Sequence, residues 1–138
     1  MPDSAAIDAA LSAKLLGDAT LMALVPDGVY MDIAGGHATR FVIVSLMSAL
    51  DTAMFQGRAF ESAVYLVKAV EKGTSGLNAK AAAARIDALL EQGTLTITGY
   101  VLMSMARTER IRYTEVDQES DARWQHHGGL YSVQVSTR

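Results

Sequence analysis

The sequence contains no cysteine, only two prolines and only one tryptophan among its 138 residues. Without cysteine the chain can form no disulfide, no thiolate zinc site and no thiol nucleophile. It has no apolar run of about 18 residues or more, so no segment is predicted to span a membrane. Residues 1–4 also lack the basic and apolar regions of an export signal. We therefore expect synthesis in the cytoplasm and no membrane partner.

The charge balance argues against a dedicated nucleic-acid binder. The formal net charge is −3, and no long basic tract occurs, whereas a dedicated nucleic-acid binder normally has a concentrated basic face. The length of the chain predicts one domain over residues 1–138, large enough to bury a core.

The first half of the sequence predicts a helix followed by strands. Ile7, Leu11 and Leu15 recur every four residues, which is typical of one buried helix face. Asp18 can cap a second, shorter helical turn. The later segments are read as a short edge strand at Val29–Ile33, a flexible loop at Ala34–Arg40, a buried strand at Phe41–Met47, a long loop at Ser48–Arg58 and a long strand at Ala59–Gly73.

The second half predicts one helix and a series of strands. In Asn78–Gly93, alanines and larger apolar residues share one face, which indicates a helix lying close against a sheet. The segments that follow are read as a strand at Thr94–Thr98, a long bent strand at Tyr100–Val116, a polar turn at Asp117–Arg123 and a final strand at Gly129–Thr137. Together these elements predict an α+β fold, with a mostly antiparallel sheet of four to five strands packed against two main α-helices.

The adjacent histidines in "RWQHHGGLYSVQV" raise the question of a metal site. Neighbouring residues in a strand point to opposite faces, so His126 and His127 are not expected to chelate one ion. A metal would need further ligands, and His37 is the only other histidine. Gly128 and Gly129 favour a bulge or a close backbone approach. The segment is interpreted as the entrance to the last strand, with no metal bound.

The glycine loop "KGTSGLN" (Lys72–Asn78) lies between a strand and a helix, a context typical of phosphate cradles. It lacks the Gly-Lys-Ser/Thr ending of a P-loop and the G-x-G-x-x-G fingerprint, so a turn before a capped helix is the better interpretation. The sequence also has no G-x-S-x-G elbow and no H-E-x-x-H pair. We therefore nominate no catalytic or cofactor-binding residue and expect no enzyme and no cofactor.

The segment "ARTERIRYTEVDQESDAR" is dense in charges of both signs and leaves three interpretations open. It could be a solvated hairpin tip. It could instead be an assembly surface, on which mixed charges fix partner and register. The alternation of Arg110 and Arg112 is also compatible with a strand face lining a channel that passes DNA.

Four stretches follow one another along the chain, namely "AAIDAALSAKLLGDATLMALVPDGVYMD", "FVIVSL", "VYLVKAVEKGTSGLNAKAAAARIDALL" and "RIRYTEVDQESDARWQHHGGLYSVQV". In this order they resemble the tail terminator (tail completion, minor tail) family of long-tailed bacteriophages and phage-derived gene transfer particles. The last stretch is the most specific, since it combines a charged strand, a polar turn, an aromatic residue and "HHGGLY". The resemblance extends over nearly the whole chain.

This resemblance implies a structural virion protein that catalyses no reaction. Such proteins assemble as a homo-oligomeric ring, generally a hexamer, on the finished tail tube. The ring stops polymerisation of the tube protein and provides the surface for head–tail joining through a head completion or connector protein. DNA passes through its lumen without sequence recognition. The implied location is the virion tail, at the head–tail interface.

No motif of the family marks individual residues here, so the assembly contacts are nominated by physical argument. Polar loops longer than a hairpin requires are suited to contacts with other proteins. The nominated residues are Met54, Phe55 and Arg58 in the first loop, and Arg110, Arg112, Glu115 and Asp117 in the charged region. Met54 and Phe55 could alternatively fold back on the core, whereas Trp124 and Tyr131 are expected in the core or at an interface rim.

Two other functions remain open on the sequence. A head–tail connector component, such as a stopper or adaptor, would share ring symmetry. A small cytoplasmic ligand-binding or enzymatic α+β protein would instead show a concave pocket with convergent polar groups and a titratable residue of perturbed pKa.

Overall fold

The computed structural model describes residues 4–54 and 57–137, and within them three helices and five strands. The elements are α1 (Ser4–Leu16), α2 (Ala19–Leu24), β1 (Val29–Met31), β2 (Arg40–Met54), β3 (Gly57–Lys72), α3 (Leu77–Leu90), β4 (Tyr100–Val116) and β5 (Arg123–Thr137). None of these helices is long and apolar enough to cross a membrane.

The five strands form one sheet in the order β1-β2-β3-β5-β4. The short β1 runs parallel to β2, and the other three neighbouring pairs are antiparallel. The last strand, β5, therefore lies between β3 and β4, and β4 is an edge strand. The predicted α+β class with a mostly antiparallel sheet is confirmed, with α2 as a short additional helix.

The three helices cover one face of the sheet. Ile7, Leu11 and Leu15 of α1 are fully buried, as their four-residue spacing predicts. On α3 the buried positions include Ala79 and Ala82, whose small side chains let the helix approach the sheet closely. These helices share one core with alternate residues of the strands, which are Val42, Val44, Ala63, Tyr65, Val67, Ala69, Met105, Tyr131, Val133 and Val135.

The opposite face of the sheet has a smaller apolar cluster at one corner. Phe41, Ile43 and Val70 point to this face because they alternate with the core residues of β2 and β3. The loop that precedes β2 packs on them through Ala34 and Ala38. Beyond this corner, no helix of the described chain covers the face, which we call the open face.

The long loop predicted at Ser48–Arg58 is wrong. The backbone of β2 continues to Met54 and pairs with β3 from Ser48↔Val64 to Met54↔Gly57. The pairing is kept because a bulge at Met47 absorbs one extra residue. Phe55 lies outside the described residues. Polar composition suggested a loop, but a long neighbouring strand offers backbone partners for the whole segment.

Two strand predictions near the C-terminus also need correction. Thr94–Thr98 is not a strand, and its only ladder contact in the described chain is an isolated bridge between Ile97 and Tyr100. Its residues alternate because one side of the segment faces the core and the other faces solvent: Ile97 is buried while Thr96 is exposed. The final strand begins at Arg123 rather than at Gly129, because β3 and β4 both pair with this earlier segment.

A bidentate ion pair joins the start of α2 to α3. Arg85 donates from Nε to Asp18 Oδ2 at 2.8 Å and from Nη2 to Oδ1 at 2.7 Å. The same carboxylate accepts the Leu21 backbone N–H at 2.9 Å, so the predicted capping role of Asp18 is confirmed. The hydrogen bond from Arg85 is the main cause that lowers the pKa of Asp18 from 3.8 to about 2.

We predict that replacing Asp18 with Asn reduces the loss of stability in acid. Because the pKa of Asp18 is lower in the folded than in the unfolded chain, its charged form stabilises the fold at any pH above the unfolded-state pKa. This contribution is lost as the pH falls from about 4 toward about 2. Chemical denaturation from pH 5 to pH 2 measures this difference. Asp32→Asn, an exposed control without an ion pair among the described side chains, should follow the wild type. Parallel curves for Asp18→Asn and wild type would contradict the prediction.

Candidate assembly site

Met54 and Arg58 lie at one end of the sheet, whereas the residues nominated in the charged region belong to its other half. At one end the β2–β3 hairpin closes, where Met54 pairs with Gly57 and Ala53 pairs with Arg58. At the other end, where β3 finishes at Lys72, lies the turn between β4 and β5. The β3–β5 ladder alone extends from Phe60 to Lys72, which corresponds to about 40 Å of extended strand.

The structure separates the four residues nominated in the charged region. Arg110 pairs with Gly129 and Arg112 pairs with His127, on the side of the sheet that carries the helices. Glu115 pairs with Trp124 and points to the open face. Asp117 lies in the turn, where its Oδ1 accepts the Glu119 backbone N–H at 3.0 Å. The four residues therefore lie on three different surfaces.

Arg110 and Arg112 line a groove of about 340 Å³ between α3 and β4. Ala83 and Ala84 form part of its α3 wall and leave it open. Its carboxylate is Asp87, which lies 3.4 Å from Arg107. We call this surface the basic groove, and its basic residues are Lys80, Arg107, Arg110, Arg112 and His127.

The basic groove has an excess of positive charge. Among the described side chains, Lys80, Arg110 and Arg112 make no ion pair. Burial is the main cause that lowers the pKa of His127, and the charges of Arg112 and Lys80 lower it further. The lowered pKa favours the neutral form of the His127 imidazole. Sequence reasoning missed Lys80 as a partner of the arginines, since it stands on a helix 30 residues earlier in the chain.

The glycine loop before α3 is not a free phosphate cradle. The Glu71 carboxylate caps this helix, with Oε1 accepting the backbone N–H of Asn78 at 3.2 Å and that of Ala79 at 3.4 Å. Its Oε2 accepts the side-chain amide of Asn78 at 2.7 Å. Gly76 precedes the helix with a φ of 65°, a conformation that glycine adopts readily. The preferred interpretation, a turn before a capped helix, is confirmed.

The two histidines point to opposite faces, as predicted. His127 lines the basic groove, while His126 stacks on Tyr113 with ring centroids 4.3 Å apart and lies 3.0 Å from Glu115 Oε1. Burial, followed by the Lys68 charge, lowers the pKa of His126. Within the described residues, no group of three or more His, Asp or Glu side chains is placed to hold a metal ion.

The segment that contains these histidines is not a strand entrance. Both lie inside β5, whose register against β3 runs without a shift, so the bulge predicted at Gly128–Gly129 is wrong. The alternative, a close backbone approach, is confirmed. A Cβ added at Gly128 would meet the Val67 carbonyl oxygen and lie 2.5 Å from Lys68 Cα.

Three tyrosine–carboxylate pairs stabilise the fold, two between the sheet and a helix and one between strands β3 and β4. The hydroxyls of Tyr65, Tyr131 and Tyr100 donate to Asp8 at 2.6 Å, Asp87 at 2.9 Å and Glu61 at 2.6 Å. Burial is the main cause that raises the pKa values of Tyr65 and Tyr131 well above the usual range, and their carboxylate partners raise them further. These phenols remain protonated and act as structural hydrogen-bond donors. Tyr131 is thus a core residue, as predicted, and Trp124 is half-buried beside Phe41.

A concavity of about 610 Å³ follows the first half of β4 and the preceding loop. Its described lining contains no charged side chain. The loop also shields this part of the strand edge, because the Gln92 N–H donates to the Met105 carbonyl at 2.8 Å and Glu91 accepts the Arg107 N–H at 2.6 Å. Shielding of this kind keeps an edge strand from pairing with other chains. The charged half of β4 is therefore the part available for contacts.

A family model described as tail completion protein gp17 matches residues 9–136. A search of the curated proteins found no match. Among solved structures, a chain from the virion of a native gene transfer agent particle matches with a TM-score of 0.75 at 21% identity, covering 96% of both chains. A second solved structure matches with a TM-score of 0.59 at 15% identity, covering 100% of this chain and 97% of that one.

The family match and the structural matches carry different information. At these identities the solved structures show that the fold is shared over nearly the full length of each chain. The family model covers almost all of the sequence, and it confirms the resemblance drawn from the segments quoted above. The chain belongs to the tail completion protein gp17 family, and its role is a structural one in the assembly of the phage tail.

Proposed function

We propose that this chain forms a closed ring of six copies on the end of the finished tail tube. The ring stops polymerisation of the tube protein and presents the surface to which a head completion or connector protein attaches. The chain acts as a single domain, catalyses no reaction and binds no cofactor. In the assembled particle it lies at the head–tail interface.

The observation that carries this proposal is that the sheet has two widely separated ends. A ring between a tube and a connector needs one contact surface on each side. The two ends are separated by at least the β3–β5 ladder from Phe60 to Lys72, or about 40 Å. Met54 and Arg58 lie at the first end, and the strand ends at Lys72 and Val116 lie at the second.

The charge distribution supports passage of DNA without retention. Proteins hold DNA mainly by neutralising its phosphates with Lys and Arg, and this chain has a net charge of −3. Arg110 and Arg112 lie in a groove between α3 and β4 rather than on an uncovered strand face. The proposed ring therefore surrounds the DNA path without reading its sequence.

Deletion of the gene that encodes this chain tests the proposal. We expect tail tubes of uncontrolled length without attached heads, and restoration of both properties when the wild-type chain is supplied from a plasmid. Tubes of normal length that lack heads would instead favour the connector function. Tails of normal length with heads attached would contradict both.

A further inference from the structure

The basic groove carries more cations than its own chain neutralises, which points to a ligand of opposite charge. Arg107 is paired with Asp87 at 3.4 Å, but Lys80, Arg110 and Arg112 have no ion pair among the described side chains. All three are exposed. Like charges held this close repel one another, and an anionic partner removes that cost.

The same chain carries a surface of the required charge on the β4–β5 turn. Asp117, Glu119 and Asp121 follow one another at alternate positions and are exposed. Asp121 is 3.8 Å from Arg123, and the Asp117 and Glu119 side chains make no ion pair within the described chain. We call these three residues the acidic turn.

The acidic turn is held in shape before any contact is made. The Asp117 backbone N–H donates to the Ala122 carbonyl at 2.8 Å, and Asp117 Oδ1 accepts the Glu119 N–H at 3.0 Å. A preorganised loop loses less conformational entropy on binding than a disordered one. The turn can therefore dock as a formed unit.

The acidic turn cannot reach the basic groove of its own molecule. Both lie on the same β4–β5 hairpin, and Glu119 is seven positions beyond Arg112 along the chain. The strand from Arg112 to Val116 is extended and paired with β5, which places the turn more than about 13 Å further along. Any contact between the two surfaces must join different copies.

We propose that the acidic turn of one copy docks in the basic groove of the next. The two surfaces are different patches of the same molecule, so the contact is heterologous and runs head to tail around a ring. Arg110, Arg112 and Lys80 face Asp117, Glu119 and Asp121 across it. The inference rests on the proposed ring and assigns the contact that closes it.

Reversal of charge on each surface tests this contact. The groove variant is Arg110→Glu with Arg112→Glu, and the turn variant is Glu119→Lys with Asp121→Lys. Glu109→Lys, on the opposite face of the same strand, is the control. Mass photometry of the full chain, alone and with tube protein, measures the fraction in rings and on capped tube ends. Circular dichroism melting shows whether each variant folds. If the groove variant does not fold, the double substitution Arg110→Gln with Arg112→Gln replaces it.

We expect each reversed variant alone to lose ring formation by about tenfold or more, since close charge pairs across interfaces contribute strongly to binding. An equimolar mixture of the two should form rings again. In the mixture, each acidic groove meets a basic turn and each basic groove meets an acidic turn, so the two variants alternate around an even-numbered ring. The control should assemble like the wild type.

Three other results overturn the inference in distinguishable ways. If each reversed variant forms rings as the wild type does, the contact is wrong while the ring itself stands. If the mixture fails to assemble and only the groove variant loses affinity for duplex DNA, the groove serves phosphates instead. If the wild type forms no ring, either alone or on tube ends, the proposed function fails first.

Discussion

Replacing Gly128 with Ala is expected to lower the free energy of unfolding by about 3 kcal/mol, or the melting temperature by roughly 10 °C. The added Cβ would meet the Val67 carbonyl oxygen and lie 2.5 Å from Lys68 Cα and 2.7 Å from its Cβ. Two of these three atoms belong to the backbone of the central strand β3, which cannot move without disturbing the ladder on both sides. The sheet must therefore open locally.

The matched control for this substitution is Gly36→Ala in the loop before β2. A Cβ at Gly36 has no atom within 4 Å, so we expect either no change or a gain of up to about 1 kcal/mol from a less flexible unfolded chain. Thermal and urea unfolding of the two variants measure the difference. Equal stabilities would show that β5 does not approach β3 as closely as the structure has it.

The second large effect is expected at Ile86, in the middle of α3. Its side chain is fully buried in the main core between helices and sheet. Ile86→Ala removes three carbon atoms and leaves a cavity, so we expect a loss of about 3 kcal/mol. Because α3 also forms the wall of the basic groove, a loosened helix should weaken ring formation as well.

Leu77→Ala is the control on the same helix. Leu77 is 72% exposed, and alanine is a good helix former, so its replacement should change the stability by less than about 0.5 kcal/mol. Urea unfolding compares the two variants at equal protein concentration. A loss at Leu77 as large as that at Ile86 would contradict the assigned packing of α3.

Local patterns in the sequence were sufficient for most elements of the fold. The four-residue spacing in α1 and the shared apolar face of α3 predicted which residues are buried, because a helix has a fixed period. The opposite orientation of His126 and His127 followed in the same way from the two-residue period of a strand. Each of these predictions depended on neighbours in the chain alone.

The errors concern features that depend on distant partners. Residues 48–54 look polar enough for a loop, and only the length of β3 shows that they pair as a strand. Thr94–Thr98 alternates like a strand, but within the described chain its backbone forms only an isolated bridge between Ile97 and Tyr100. The same reason explains why Lys80 was missed, since the sheet register and the position of α3 together bring it to Arg110 and Arg112.

The nominated assembly residues were chosen by charge and loop length, and the structure arranges them on separate surfaces. Glu115 is used within the chain, since its carboxylate lies 3.0 Å from the buried His126. Arg110, Arg112 and Asp117 remain available for partners. Alternation on a strand already separates Glu115 from Arg110 and Arg112, because the bulge at Thr108 precedes all three residues.

The most direct test of the proposed function is electron microscopy of the purified chain mixed with its tail tube protein while the tube protein polymerises. We expect that tubes stop growing when the chain is added and that a six-fold ring is seen at one end of each tube. Tubes that grow to the same lengths with and without the chain, with bare ends, would contradict it.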